Sequence, residues 1–494
     1  MNRPLEKAAT SARARGMLGL PGPALLALLV ALTGCDGRSD HDSGLPSRVS
    51  PPSAQGADEG PADRKTAEPG VERADPDESP PGPLRFRAQE LPFRYETGAT
   101  GKFLPVEPTG GGVGLLDYDG DGDLDLFFTQ GGPLPPRPEK TTSSDVLLRN
   151  DGGGRFVDVS KQVGLEPKGY GQGVTVADYD GDEDRRAGDA VRREHVRRND
   201  RDRRFTDVTA DAGLTGSHWS LGAAFADFDG DGDLDLFVAN YFRFDPARAP
   251  FSRDPETGEP RYGMPEEFPG EPDLLYRNEG KGRFREVTAR AGVAGDTRGM
   301  GCLAADFDED GRIDVLVAND MQPNVLWHNR GDGTFEETAM IWGVGVNGQG
   351  AAEANMGIAH GDTNGDGTPD VIISHFFNEH HTLWRKLPRS VGGAGVQFVD
   401  QTFEAGLGID SRPLTGWGAV LADFDQDGHL DLMVTNGHIR PEPRQKYRHD
   451  NPPILWHNQG DGWPGTSPRG PGAYFRSPHS GRGLPPVTST ATAT

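Results

Sequence analysis

Asp117–Asp125 reads DYDGDGDLD, and the string returns as DFDGDGDLD from Asp227, DFDEDGRID from Asp306, DTNGDGTPD from Asp362 and DFDQDGHLD from Asp423. A further copy from Asp178, DYDGDEDRR, is damaged in its second half. Each intact copy places side-chain oxygens at positions 1, 3, 5 and 9 and a glycine at position 6. These are Asp117, Asp119, Asp121 and Asp125; Asp227, Asp229, Asp231 and Asp235; Asp306, Asp308, Asp310 and Asp314; Asp362, Asn364, Asp366 and Asp370; Asp423, Asp425, Asp427 and Asp431. Position 7 varies among Asp123, Asp233, Arg312, Thr368 and His429, as expected where only the main-chain carbonyl is a ligand. Such spacing suits a loop wrapping a hard cation, with glycine making the sharp turn. It is not an EF-hand. The bidentate Glu of that motif would stand at position 12, which holds Phe128, Val238, Val317, Ile373 and Val434.

Four carboxylates gathered at one point repel each other unless a cation joins them. All-oxygen ligation favours Ca2+ over Zn2+, and a flexible loop favours it over Mg2+, so Ca2+ is the expected cofactor. A turn rich in Asp and Gly can also bind nothing, but five copies of one internal spacing argue against that reading.

The flanks of the loops set the fold. First aspartates fall at 117, 178, 227, 306, 362 and 423, a step averaging about 61 residues. A glycine lies five residues before each: Gly112, Gly173, Gly222, Gly301, Gly357 and Gly418. After the intact loops come apolar runs such as LDLFFTQ, LDLFVAN and LDLMVTN. Hairpin signals follow, as in LLRNDGGGRFVDV, LYRNEGKGRFREV and LWHNRGDGTFEET, whose glycines supply positive-φ turns. Each unit therefore carries about four short antiparallel strands, which is a propeller blade. The regular glycine suits an innermost strand crowded at the ring axis. A solenoid is the alternative, although its coils are usually shorter. The expected class is all-β, a β-propeller with one damaged blade and an incomplete C-terminal side, spanning residues 84–462.

Two stretches break the pattern: EDRRAGDAVRREHVRRNDRDRR after Asp182, and the tail 463–494. They read as a reading frame lost, restored once and then lost for good. They predict an irregular patch at 183–204 and little regular structure after Trp463. A seventh blade would have to combine residues 86–95 with a remnant at 454–458. The insertion at 243–271, rich in Pro and charge, is a long loop.

Net charge is −25, which argues against nucleic acid and towards bound cations. Two cysteines, Cys35 and Cys302, are too few for a disulfide scaffold. Residues 1–34 carry a basic lead (Arg3, Lys7, Arg13, Arg15) and an apolar run interrupted by Pro21 and Pro23, as in an export signal. The run ends in LTGC, which resembles a bacterial lipobox with Cys35 as the lipidated residue; an ordinary signal peptide is the alternative. Residues 35–83 are Pro, Gly, Ser, Asp and Glu without an aromatic residue up to the fold, and read as a disordered tether.

His375, His380, His381, His360 and His438 could form a second metal site, but without an HExxH spacing they read more simply as strand-end residues. His328 and His457 occupy hairpin positions where sibling repeats carry Arg. Cys302 reads as a small core residue, and Trp219, Trp327, Trp384, Trp417 and Trp456 as blade packing. No Ser/His/Asp signature, separate carboxylate pair or phosphate-cradling loop is evident.

The loops and flanking strands resemble the FG-GAP/VCBS repeats of calcium-binding seven-bladed propellers, the architecture of the integrin α-subunit head. LFVANY, VLVANDMQPNVLWHN, ANMGIAHGDTNGDG and WGAVLADFDQDGHLDLMVTNGH resemble, more narrowly, the bacterial relatives of the cartilage acidic protein family. The resemblance implies seven blades and, typically, one more repeat leading into a C-terminal ASPIC/UnbV domain. GRGL at Gly481 looks like the start of that repeat, while the following loop and domain are missing. The function this implies is non-enzymatic: an exported cell-envelope lipoprotein that presents a propeller to a protein or glycan partner. The competing readings are a propeller enzyme with a central-channel site (lyase, hydrolase or quinoprotein type) and a frameshifted product without function.

Overall fold

The structure is a computed structural model that describes residues 86–484, except 87–88, 100, 135–143, 167–168, 182–185, 192–194, 201–202, 215, 217, 250–251, 389–394, 440–449, 461–462, 464–472 and 477–480. The leader with Cys35, the tether 35–83, and Asp182 and Glu183 of the second loop lie outside the described residues. Within them, no helix is long and apolar enough to cross a membrane.

Six antiparallel sheets follow one another along the chain, at 113–158, 171–207, 220–286, 299–337, 355–400 and 416–456. The first five have four strands in sequential order and the sixth has three. This meander of small sheets is a β-propeller, and the sheets are numbered here as blades one to six. In every intact copy the residue before the first aspartate pairs with the position-9 aspartate: Leu116 with Asp125, Ala226 with Asp235, Ala305 with Asp314, Gly361 with Asp370 and Ala422 with Asp431. The cation loop is thus the turn between first and second strands, on one end of the ring.

The cores lie between blades. Second strands such as Asp314–Asn319 are buried along their whole length because both faces are covered. Val315 and Val317 pack towards blade three with Phe237 and Ala239, while Leu316 and Ala318 pack towards blade five with Val371 and Ile373. That alternation is the period of a strand read at two interfaces.

The recurrent glycine sits where neighbouring inner strands touch. A Cβ on Gly173 would stand 2.1 Å from the Leu221 carbonyl oxygen, and one on Gly357 would stand 1.9 Å from that of Trp417. No larger residue fits there without separating the blades.

Two sequence expectations are corrected. The stretch 183–204 is not an irregular patch: Arg186–Val191 and His195–Asp200 are the middle strands of blade two, and Ala177 pairs with Arg186 in the register of the intact copies. Ladder hydrogen bonds are made by the backbone, so a strand between two paired neighbours tolerates an atypical sequence. Secondly, Ile454–Trp456 does not belong to a seventh blade; it is the third strand of blade six, paired through Val434–Ile454. The tail after Trp463 is expected to hold little regular structure, and no strand occurs among its described residues. Its described residues include a short helix, Ala473–Arg476, and the segment 481–484, which enters the ring.

The joint made by that segment repeats the joint between blades one and two. Gly171 N donates to the Gln130 carbonyl at 2.8 Å and Gly481 N to the Asn436 carbonyl at 2.8 Å. Gly112 N donates to the Gln172 carbonyl, and Gly418 N to the Arg482 carbonyl at 2.9 Å. Residues 481–484 therefore stand against blade six as the first strand of blade two stands against blade one. On their other side Arg482 Nε donates to the Pro108 carbonyl at 2.7 Å, next to blade one. Phe86 meets Phe475 edge-on at 5.1 Å and Phe424 at 5.7 Å, so both ends of the described chain cover the outer part of this gap.

Candidate metal centres

Within a loop, each aspartate has its own task. Position 1 ties the turn: Asp117 Oδ1 accepts from Gly120 N at 2.8 Å and Asp121 N at 3.1 Å, while Oδ2 accepts from Gly122 N at 3.0 Å. Asp227 repeats all three bonds, and Asp306, Asp362 and Asp423 repeat the bonds from positions 5 and 6. Position 5 accepts from the amide of position 7, as Asp121 from Asp123, Asp231 from Asp233, Asp310 from Arg312, Asp366 from Thr368 and Asp427 from His429. Position 9 joins loop to blade. Asp235 accepts from Phe228 N at 3.1 Å and Asn278 N at 2.8 Å, and Asp125, Asp314, Asp370 and Asp431 do likewise.

Position 3 differs. Asp119 Oδ1, Asp229 Oδ1 and Asp425 Oδ1 are buried without a hydrogen-bond partner, although a buried carboxylate oxygen normally finds one. Asp119 and Asp229 face the carboxylates at positions 1 and 9, while Asp425 groups with Asp427 and His457. Ligand atoms of Asp117, Asp119 and Asp125 lie within 4.8 Å of one another, as do those of Asp227, Asp229 and Asp235, and of Asp306, Asp308 and Asp310. Orphaned oxygens converging with further carboxylates fit an oxygen-ligated cation. In the fifth loop the amide of Asn364 donates instead to Asp366 at 3.0 Å.

Burial sets the electrostatics. Desolvation pushes Asp125 and Asp235 up to about 7 and Asp314, Asp370 and Asp431 up to about 6, against the pull of the backbone amides they accept from. Asp229 and Asp308 are raised for the same reason.

In blades three, four and six the third strand brings a basic side chain close to the loop. Arg277 stands 2.6 Å from Asp229, and His457 stands 2.7 Å from Asp425. His328 lies 3.2 Å from Asp314 and 3.9 Å from Asp308. Sequence reasoning took His328 and His457 for ordinary hairpin residues. The signal was present: both immediately precede the hairpin asparagine, Asn329 and Asn458.

The remaining histidines do not gather at a metal. His375 Nε2 lies 2.8 Å from Asn355 Oδ1, His381 Nδ1 accepts from His375 N, and His438 pairs with Thr415. Burial pushes His375 and His381 down to about 3 and His360 to about 4, so all three are neutral. Burial likewise raises the Cys302 thiol, in keeping with a packing role.

At the ring end opposite the loops lies a buried polar group that sequence reasoning missed. The Tyr241 hydroxyl donates to Asp320 at 2.5 Å, Ala354 N to Glu379 at 3.0 Å and the Thr382 hydroxyl to Glu353 at 3.1 Å. These side chains bind connections just beyond the second strands, which is a structural task. The central cavity, about 1100 Å3, is walled by residues such as Val113, Val174, Leu303 and Ile358, with Asp117, Asp119, Asp200 and Arg203 at the first loop.

Comparison with known proteins agrees with the repeats. The FG-GAP-like repeat model matches residues 100–185, 189–238, 269–317 and 306–373. Cartilage acidic protein 1 of Homo sapiens is 31% identical over 166 residues, 34% of this chain and 23% of the human protein. Its Xenopus tropicalis counterpart is 30% identical over 153 residues, 30% of this chain and 21% of that protein. The chain thus spans under a quarter of the length of the curated relatives it matches. Among solved structures, an Agrocybe aegerita lectin described as recognising non-reducing terminal N-acetylglucosamine is 16% identical, with a TM-score of 0.38 over 72% of this chain and 78% of its own.

Proposed function

The chain carries FG-GAP-like repeats on a β-propeller and is similar over a third of its length to cartilage acidic protein 1; from that premise we propose that it is a calcium-stabilised binding module, not an enzyme. The observation that carries the proposal is the repeated orphaned oxygen at position 3, set among the carboxylates of positions 1 and 9. Bound Ca2+ would supply the positive charge these groups lack. Asp117, Asp119 and Asp125, with Asp121 and the Asp123 carbonyl, would hold it in the first loop, and the corresponding residues in the third, fourth and fifth. The side chains themselves do the structural work. Position 1 fixes the turn, and position 9 holds the loop against the third strand. The ring then becomes a rigid platform whose opposite end and outer rim are left for a protein or glycan partner.

The leader ending at Cys35 supports export and lipid anchoring of this platform in a bacterial cell envelope, with residues 35–83 as the tether. Incorporation of labelled fatty acid into the wild type but not Cys35→Ser tests the anchor. A pull-down from membrane extract, with Ca2+ and with chelator, tests the module. We expect a protein or glycan retained only with Ca2+. Retention that is indifferent to Ca2+, with unchanged melting on chelation, would overturn the calcium reading.

A further inference from the structure

The basic residue beside each loop is not chemically uniform. Arg149 in blade one turns to Asp151 at 2.7 Å, leaving Asp117, Asp119 and Asp125 as an all-oxygen group. Arg277 in blade three reaches Asp229, but a guanidinium stays protonated and has no lone pair to give. In blade six the residue is His457. Its Nε2 stands 2.7 Å from Asp425 Oδ2 and 3.9 Å from Asp427 Oδ2, and ligand atoms of the three residues all lie within 4.8 Å of one another. A neutral imidazole nitrogen is a good donor to metals. A second, independent feature points to a ligand: Asp425 Oδ1 has no hydrogen-bond partner, and the side chain is only 4% exposed.

We infer that the sixth loop is a mixed nitrogen–oxygen site that takes a borderline divalent ion of the Co2+ or Zn2+ class in preference to Ca2+, with His457, Asp425 and Asp427 as ligands. This rests on the reading that the aspartate loops bind cations. Ca2+ takes oxygen ligands almost throughout, whereas imidazole suits borderline ions. Bonds of about 2.0–2.2 Å to nitrogen and oxygen place adjacent ligands about 3.0–3.5 Å apart. The separations in loop six, 2.7 and 3.9 Å, bracket that value, so small side-chain shifts complete the site. Loop four has a histidine too, but Arg312 there pairs with Asp310 and donates to the Asn329 carbonyl, setting a fixed positive charge on the position-5 ligand. Loop six has His429 in place of that arginine.

The test uses the full chain without a polyhistidine tag, stripped of metal by chelation and loaded with Co2+ in a large excess of Ca2+. We expect one Co2+ per chain to remain, with anomalous density between Asp425 and His457 and an imidazole nitrogen coupling in pulsed EPR. His457→Gln should weaken that Co2+ by about tenfold or more and abolish the nitrogen coupling, with Ca2+ stoichiometry at the other loops unchanged. Asp425→Asn provides a second variant should the first fail to fold. Displacement of Co2+ by Ca2+, or a nitrogen coupling that survives His457→Gln, overturns the inference alone. Absence of Ca2+ from the first and third loops would instead overturn the cation reading on which it rests.

Discussion

Asp235 accepts two backbone amides while desolvation lifts its carboxyl to about 7. A carboxyl whose folded pKa exceeds its ordinary value of 3.8 is stabilising only while protonated. Its contribution is full below the unfolded pKa and is lost as pH rises through the folded one. Asp125 behaves alike, and Asp314, Asp370 and Asp431 lose theirs nearer pH 6. Chelated protein should therefore melt higher at pH 5.5 than at pH 8, and Ca2+ at pH 8 should remove the difference. Thermal melts at both values, with and without chelator, check this; a flat profile in chelator contradicts it. A second residue works across blades. Asn278, Asn329 and Asn458 each send Nδ2 to a carbonyl in the preceding blade's loop, namely Tyr179, Phe228 and Thr363, at 2.7–2.8 Å. Asn199 does the same to Tyr118 from inside the atypical stretch of blade two. Asn150 donates only within its own blade, to Leu124. Asn329→Ala should cost roughly 1–3 kcal/mol by leaving buried carbonyls unpaired, and Asn150→Ala clearly less. Denaturant unfolding of the two variants measures the difference.

At the scale of one element, loop two is the informative comparison. Glu183 stands at its glycine position and Arg186 at position 9, where siblings place the aspartate that binds loop to third strand. Fewer than six Ca2+ should bind, with this loop vacant, as anomalous diffraction would show. Glu183→Gly with Arg186→Asp should add one ion. The blades themselves were legible because a two-residue period, a fixed loop spacing and a regular glycine are local signals. The sheet in blade two was not, because its strands are held by neighbours' backbone groups and not by their own apolar pattern. The grouping of the loop carboxylates was legible for the same local reason. His457 was not, since its contact with Asp425 bridges 32 residues and depends on the hairpin's fold over the loop.

For the molecule as a whole, the gap between blades six and one is held by very little chain. Segment 481–484 spans it, with the Arg482 guanidinium 4.3 Å from the Trp417 ring centre and bonded to the carbonyls of Pro108, Gly437 and His438. Deleting residues 481–494 should remove at least five such bonds, roughly 5 kcal/mol at about 1 kcal/mol each. It should also direct the first proteolytic cuts to blades one and six. Calorimetry with limited proteolysis checks both, and cuts starting in blades three or four would contradict the expectation.

Arg482 and Pro108 are 374 residues apart in the chain, and that separation is also an interval of time. At a synthesis rate of about 5–20 residues per second, roughly 20–75 seconds pass between the appearance of the two partners. Through that interval the inner edge of blade one lacks the partner that Arg482 brings. We expect this joint to close after pairing within the earlier blades. Anything that delays or shortens the final residues leaves every earlier blade made and the first one still open to aggregation.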